Sequence, residues 1–352
     1  MCFIVPFYCE GGVMTDEELN KLLEKVKELT DTEISLSDLV GELSDEIDDD
    51  VSWESVMGLV NLLRKQGTNI MVANKDDDIY LLNLGDKSYQ HDYSYSFKTD
   101  KNGHFKFMVI SDLRMGSIFS QLTILNELYS RAYENGYRNV IITGNLTEGL
   151  YSMSDNMFNA LTEKDTFAQI DCVTKKFPMI KGMKTYFVTG KKDNTHLQKK
   201  KIDIGKKITE RRKDMVYLGN SRCDVKIDDV SMLILATNQR RTYTLSYRPQ
   251  KLVDSMRSED KPNILLYGGL LQCEEYKYRD VRVLEVPSLC ATTWEMTAKE
   301  QSNVVGAWFV DVETDNKGLL KSFTVENDIY YRTIKDDYAK ARVLNRGGDQ
   351  NV

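Results

Sequence analysis

The chain of 352 residues has only three histidines, His91, His104 and His196. It has six cysteines with no C-x-x-C pair and no apolar run longer than a β-strand. Each scarcity removes a class of function. Three scattered histidines leave almost no material for a multi-histidine metal site. Cys2, Cys9, Cys172, Cys223, Cys273 and Cys290 lie far apart, the pattern of reduced cytoplasmic thiols rather than of a disulfide framework. Cys273 and Cys290 fall near strand ends without a matching histidine, which argues against a thiol nucleophile. Strand-length apolar runs cannot span a bilayer, so no membrane role is expected. There is no G-x-G-x-x-G, no P-loop, no internal repeat and no low-complexity segment.

What is present is ordinary in bulk and uneven in distribution. Hydrophobic residues make up 41% and charged residues 29%, as in a soluble globular protein, and the length suits one large domain with a small one. The net charge of −7 hides an asymmetry. Residues 1–90 hold 20 acidic and 7 basic side chains, whereas residues 91–352 hold 34 and 40. The opening "MCFIVPFYCEGGV" lacks the basic start of a signal peptide. Residues 1–13 read as a disordered leader, or as a mis-assigned start in a bacterial or phage gene. In the latter case Met14 is the natural beginning, and Glu10–Val13 reflect a purine-rich ribosome-binding sequence.

Residues 14–84 read as a winged-helix-like module. It has a helix from Thr15 to Leu29, a second over 34–43 capped near Ser37, and a third from Ser52 to Gly67. Two strands follow over 69–84, around a turn at Asp76–Asp78. DNA binding is the usual use of that order, but a DNA reader needs a basic face and this segment is strongly acidic. A protein-contact or packing role fits better. Residues 85–104 are polar and read as a linker. From His104 onward, strands alternate with helices. The strand stretches are "FKFMVIS", "NVIITG", "TYFVTG", "SMLILAT", "NILLYGG", "VRVLEVP" and "GAWFVDVE". The helices are one with Leu122, Leu125, Leu128 and Ala132 on one face, one from about Asp155 to Phe177, and one over "DIGKKITERRKDM". This is an α/β pattern with largely parallel strands covered on both faces. Residues 336–352 read as a polar C-terminal tail.

Four strand ends carry a series of short motifs in a recognisable order. They are "SDLR" at 111–114, "TGNLTEG" at 143–149, "TGKKDNTH" at 189–196 and "YGGLLQ" at 267–272. The series resembles the calcineurin-like metallophosphoesterases, whose signatures are D-x-H, G-D, G-N-H-[DE] and G-H-x-H. It is especially similar to a phage and bacterial subfamily with an N-terminal winged-helix-like segment. The resemblance spans residues 104 to about 331, with the domain itself expected over 105–335. It implies a sandwich of two mixed β-sheets flanked by helices. It also implies chemistry that needs two divalent metals about 3.5–4 Å apart.

The ligand set does not carry over. Asp112 stands at the first aspartate, but Arg114 replaces the histidine and Asn145 the bridging aspartate. Lys191 replaces the asparagine ligand and Lys192 the catalytic histidine. Gly269 and Leu271 replace the last two histidines, and no histidine follows His196. Charged Arg and Lys do not ligate metals, so no catalytic residue, no resident metal and no other cofactor are expected. Asp193 remains as a neighbour, and His196 reads as a loop residue. Trp53, Trp294 and Trp308 read as core or interface anchors.

Two readings of the new cations stand side by side. In one, Arg114, Lys191 and Lys192 form solvated salt bridges with Asp112 and Asp193. In the other, their heads converge with a surplus positive charge, and the site holds a phosphate without cleaving it. Residues 175–213 carry 14 basic side chains against three acidic ones. That stretch is either a solvated face or a contact for an anionic partner, nucleic acid or the acidic module of another copy in a homo-oligomer. The expectation is a catalytically inactive phosphoesterase-like protein acting as a binding or scaffold subunit with a protein partner. The setting implied by analogy is DNA replication or repair, or a phage or plasmid process. The alternatives are a nucleic-acid phosphate-binding module, and a divergent phosphodiesterase or nuclease with a weak metal site at Asp112 and Asn145.

Overall fold

The computed structural model describes residues 8–9, 12–13, 15–30, 32–47, 51–66, 68, 70–75, 78–83, 95–237, 244 and 246–346. They belong to two compact units, residues 1–91 and 92–352.

In the first unit, β1 (Tyr8–Cys9) and β2 (Gly12–Val13) pair antiparallel. Both fall in the expected leader, the rest of which lies outside the described residues. Helix α1 (Asp16–Leu29) begins with a capping box. The Thr15 hydroxyl accepts from the Glu18 N–H at 3.3 Å, and the Glu18 carboxylate accepts from the Thr15 N–H at 2.8 Å. The second segment departs from the sequence reading. Ile34–Ser35 form a strand, β3, and α2 spans Leu36–Ile47. Ser35, not Ser37, does the capping: its hydroxyl accepts from the Asp38 N–H at 3.0 Å. Helix α3 (Trp53–Lys65) is capped by Ser52. Strands β4 (Ile70–Lys75) and β5 (Asp78–Asn83) complete a three-stranded sheet in the order β3-β5-β4. Asp76 and Asp77, in the expected turn, lie outside the described residues. Leu22, Val26, Leu39, Leu43, Val56, Val60, Ile70 and Leu81 close a core private to this unit.

The second unit holds two six-stranded mixed sheets. Its elements in chain order are β6 (Tyr95–Phe97), β7 (His104–Ile110), α4 (Leu122–Glu134), β8 (Asn139–Thr143), α5 (Thr166–Lys176), β9 (Met179–Ile180), β10 (Lys184–Thr189), α6 (Lys191–Lys200), α7 (Ile204–Arg211), β11 (Met215–Asn220), β12 (Arg222–Ile227), β13 (Val230–Ala236), α8 (Tyr247–Ser255), β14 (Ile264–Gly268), β15 (Glu274–Tyr278), β16 (Val281–Glu285), α9 (Trp294–Ala298), β17 (Gly306–Thr314), β18 (Leu320–Ile329), α10 (Asp337–Lys340) and β19 (Asn345–Arg346). One sheet runs β11-β10-β8-β7-β17-β18 and the other β15-β16-β14-β13-β12-β6. In the first sheet β7, β8, β10 and β11 are parallel; in the second β13, β14 and β16 are.

The two-residue period of a strand decides which side chain meets which layer. Along β7, Phe107 and Val109 face the space between the sheets with Ile141, Val188, Ile234, Leu266 and Trp308. Met108 and Ile110 face outward onto α4, α5 and α7 through Leu125, Leu128, Ile170 and Ile208. The second sheet's outer face packs on α8 through Leu265, Val283 and Val253. This is the helix-flanked two-sheet α/β sandwich that the motif series implied.

Four boundaries differ from the sequence reading. Within the expected linker, Tyr95–Phe97 pair with β12 and add an edge strand. The single helix expected over 155–177 is a short 3-10 turn, Asn156–Ala160, followed by α5. His196 is not a loop residue but lies on α6, which starts at Lys191. The expected polar tail is tied down as far as Arg346, and residues 347–352 lie outside the described residues. There β19 pairs with β9, and Asp337 is fully buried. Its carboxylate accepts from the Thr123 N–H at 2.7 Å and the Thr123 hydroxyl at 2.5 Å. Gln121 gives α4 no side-chain cap, so a carboxylate from the far end of the chain satisfies the free N–H groups there.

Candidate functional site: an ion-pair network at the strand ends

The ends of β7, β8, β10 and β14 meet at one edge of the sandwich. The Asp112 N–H donates to the Gly144 carbonyl, and the Arg114 N–H to the Asn145 carbonyl, each at 3.0 Å. Glycines let the strand ends close on one another. A Cβ on Gly190 would lie 2.4 Å from the Asn145 Oδ1, and one on Gly268 would lie 2.3 Å from the Thr143 carbonyl. Four of the motif residues hold left-handed backbone: Asp112 (φ 49°), Arg114 (48°), Asn145 (54°) and Leu271 (63°). For Asp and Asn this conformation is tolerable. For Arg and Leu it costs about 1–2 kcal/mol each. The loops therefore keep a demanding shape although two of the side chains on them are not ligand types.

What fills that shape is a chain of ion pairs. Arg114 is completely buried, with its Nε 3.5 Å from an Asp112 oxygen and its Nη1 3.6 Å from Glu148. Asp112 is held in turn by the Asn145 amide at 2.9 Å and the Ser111 hydroxyl at 3.0 Å. The Lys192 ammonium lies 3.7 Å from the same Glu148 oxygen and 3.1 Å from Glu295 on α9. Tyr151 donates to Glu148 at 2.7 Å, accepts from Lys192, and carries the ammonium 4.8 Å from its ring centre. Lys299 closes the chain on Glu295 at 2.7 Å. Asp112, Glu148 and Glu295 thus face Arg114, Lys192 and Lys299 in equal number.

Arg114 and Glu295 are held in their ionised forms by their partners. Burial opposes the Arg114 charge, but the Glu148 and Asp112 carboxylates outweigh it and hold the guanidinium protonated. Burial also works against Glu295, yet Lys192 and Lys299 bring its carboxyl down to about 2. None of the three Arg114 guanidinium nitrogens makes a hydrogen bond of good geometry, and neither does Glu148 Oε2. Arg114 is therefore held by charge at ion-pair distance rather than by a matched fork.

Several expected roles need correction. Lys191 is exposed at the first turn of α6 and does not converge with Arg114. Asp193 pairs with no cation among the described residues; it is buried and caps α6. It accepts from the N–H groups of Gly190 (2.8 Å), Leu146 (3.1 Å) and Thr147 (2.8 Å) and from the Thr147 hydroxyl (2.7 Å). Burial pushes its carboxyl up to about 6 against those donors. The expected surplus positive charge is balanced at the site, because Glu148 and Glu295 take up Arg114 and Lys192. The Arg114 pairs are buried rather than solvated, whereas the pairs of Glu295 with Lys192 and Lys299 lie toward the surface. Gly269 is a turn whose Cβ would lie 2.4 Å from the Thr237 carbonyl. Leu271 packs with Phe119, Met157, Cys290 and Met296 in an apolar cluster beside the site. His196 is a buried helix residue between the Thr147 and Thr166 hydroxyls, and burial lowers its ring to about 4. Of the tryptophans, Trp308 is core, whereas Trp53 and Trp294 are about half exposed. Burial raises the thiols of Cys273 and Cys290 to about 12, the opposite of an activated nucleophile.

Two divalent metals do not fit this donor set. Asp112 and Asn145 remain, but a guanidinium lies at the first and the other motif positions offer lysine, glycine and leucine. Among the described residues no three His, Cys, Asp or Glu side chains gather as a metal site. No helix among them is long and apolar enough to cross a membrane.

No protein-family model and no curated protein matches the chain. Among solved structures it is similar to a novel archaeal phosphodiesterase, at 11% identity, with 64% of this chain and 99% of that one covered and a TM-score of 0.37. It is similar to zinc-bound Vps29 from Entamoeba histolytica at 13% identity, with 64% and 98% covered and a TM-score of 0.34. It is also similar to Yfce, a phosphoesterase from E. coli, at 10% identity, with 62% and 98% covered and a TM-score of 0.35. Likenesses this distant carry no argument about activity, which rests on the chain's own residues.

Proposed function

We propose that this chain is a non-hydrolysing protein on a calcineurin-like phosphoesterase scaffold, working as a binding or scaffold subunit. The observation that supports the reading is the Asp112–Arg114–Glu148–Lys192–Glu295 chain of ion pairs, buried at Asp112, Arg114 and Glu148. Its cations sit at the strand ends where the resemblance implies metals, and its acids are neutralised from within. A closed, charge-balanced network gives neither a Lewis acid nor an activated water. It also leaves Arg114 and Lys192 no spare charge for a phosphate, so the site itself is a lock between the β7 loop, α6 and α9. The helix–strand–helix–helix–strand–strand order of residues 16–83 supports reading the first unit as winged-helix-like. Its acidity favours a protein partner over DNA. A cytoplasmic DNA-processing setting is part of the proposal.

The test is turnover. Purified protein with added Mn2+ is expected to hydrolyse a generic phosphodiester no faster than background. Turnover that disappears in Asp112→Ala would overturn the reading in favour of a divergent hydrolase.

A further inference from the structure

The lysine-rich stretch 175–213 is not part of the ion-pair lock, apart from Lys192 at its inner end. Six carboxylates lie between residues 165 and 214, and each is already committed. Asp165, Asp193 and Asp203 cap α5, α6 and α7. Asp171 holds Lys175 and Arg211, Glu210 holds Lys207, and Asp214 holds Arg212. Lys191, Lys200, Lys201 and Lys206 are exposed, with no ion-pair partner among the described residues. The surplus is real charge on the surface, not charge hidden in pairs.

This surface also carries exposed apolar groups in a fixed place. Thr166, at the start of α5, bonds His196 on α6 through its hydroxyl at 3.0 Å. The residue after each of them points outward: Phe167 is 55% exposed and Leu197 40% exposed. Helices α5 and α7 follow parallel neighbouring strands, β8 and β10. They therefore run in the same direction, with their N-termini at the same end. Phe167 on α5 and Lys206 on α7 share that end, and Lys200 and Lys201 close α6 just before α7 begins. Core positions on α5 are taken by Ile170 and Val173, and Phe167 is not among the residues of that core cluster.

We propose that the α5–α6–α7 face around Phe167 binds single-stranded nucleic acid, with Lys200, Lys201 and Lys206 on phosphates and a base stacked on the Phe167 ring. Exposed ammonium groups suit a phosphate backbone without sequence readout, and an exposed ring beside them offers the stacking platform that a duplex cannot use. An acidic protein surface would use the lysines but has no need of the ring.

The experiment is fluorescence anisotropy of the full-length protein with a labelled oligo-dT and with a duplex of equal length, over a salt series. Binding to oligo-dT that weakens with salt is expected. The triple variant Lys200→Glu, Lys201→Glu, Lys206→Glu should reduce affinity by about tenfold or more and lower the salt slope by about 2. Phe167→Ala should weaken oligo-dT binding by about tenfold, leave duplex binding unchanged, and be rescued by Phe167→Trp. All the substituted side chains are exposed, and unchanged circular dichroism confirms the fold. Absence of oligo-dT binding at low salt would overturn the proposal. So would equal affinities for parent and variants, or a triple variant that alters only self-association in sedimentation. The last result would assign the face to an acidic surface of a second copy. None of these outcomes bears on hydrolysis, so this proposal and the non-hydrolysing reading fail separately.

Discussion

Removing Arg114 is the most direct perturbation of the ion-pair network. In Arg114→Met the side chain keeps its length and its apolar stem, while the guanidinium between Asp112 and Glu148 is lost. Asp112 keeps its bonds from Asn145 and Ser111, and Glu148 keeps Tyr151 and Lys192. Two fully buried carboxylates nonetheless lose a shared cation at about 3.5 Å. Breaking a buried pair by deleting one partner costs about 3–5 kcal/mol, because the remaining charge stays buried. Urea unfolding at pH 8 should show a loss of that size. A buried carboxylate without its cation takes up a proton more readily in the folded state than in the unfolded one. The variant should therefore recover stability as the pH is lowered from 8 to 5. Converting the neighbours as well, in Arg114→Met with Asp112→Asn and Glu148→Gln, removes the stranded charges. That variant should return to within about 2 kcal/mol of the parent, since neutral replacement of a whole buried pair is near neutral. An Arg114→Met protein within about 1 kcal/mol of the parent at pH 8, with no pH dependence of the difference, would refute the reasoning. The guanidinium would then not be what compensates the two acids.

Asp193 and His196 should give opposite pH slopes. The Asp193 carboxyl is raised to about 6, so its contribution is present below the unfolded value of about 3.9 and is lost as pH rises through 6. His196 is lowered to about 4, so stability falls as pH drops from about 6.5 through 4. In unfolding between pH 4 and 7, Asp193→Asn should remove the first slope and His196→Gln the second. Gly190→Ala would drive a Cβ to 2.4 Å from Asn145 Oδ1 and 2.6 Å from its backbone nitrogen. It should leave little folded sandwich unit by near-ultraviolet circular dichroism. Asp337→Ala should cost about 1 kcal/mol or more, by loss of the α4 cap, and should expose the C-terminal segment to limited proteolysis. The acidic first unit has its own core, and as a fragment of residues 14–90 it should give no shift of duplex DNA at moderate salt. Tight binding would mean that its few cations are focused on one face.

The sandwich was legible because its signals are local and strong. Strands such as Asn139–Thr143 and Ile264–Gly268 are continuous apolar runs ended by glycine, and the backbone settles them within a few residues. Elements that depend on distant partners were not legible. Tyr95–Phe97 is a strand only because β12 lies beside it. Asn345–Arg346 is one only because β9 does. Helix α6 was hidden for a physical reason: Lys191 and Lys192 occupy its first turn, where cations oppose the helix dipole. Buried Asp193, three residues in, supplies the compensating cap. The 3-10 turn Asn156–Ala160 is separated from α5 by the short polar segment 162–165, which carries no proline or glycine to mark a break.

The site was legible in position and illegible in charge. Motif spacing found Asp112, Arg114, Asn145 and Lys192, because strand ends on parallel β7, β8 and β10 must meet whatever side chains they bear. Which acids would meet the cations could not be read, since Glu148 and Glu295 are separated by 147 positions and meet only through Lys192. A motif comparison looks for missing ligands, whereas the energetics turn on an added acid. Glu148 stands three positions after Asn145 in a loop otherwise free of charge, and a buried cation nearby requires such an acid. The left-handed backbone at Arg114 and Leu271 points the same way. Those residues occupy conformations that suit short polar side chains, and the loops still adopt them. The fold therefore fixes where the strand-end groups meet, and the side chains decide whether that meeting place holds metal or closes on itself. Here Asp112 and Glu148 are taken up by Arg114, and Glu148 and Glu295 by Lys192, so the meeting place is filled by ion pairs.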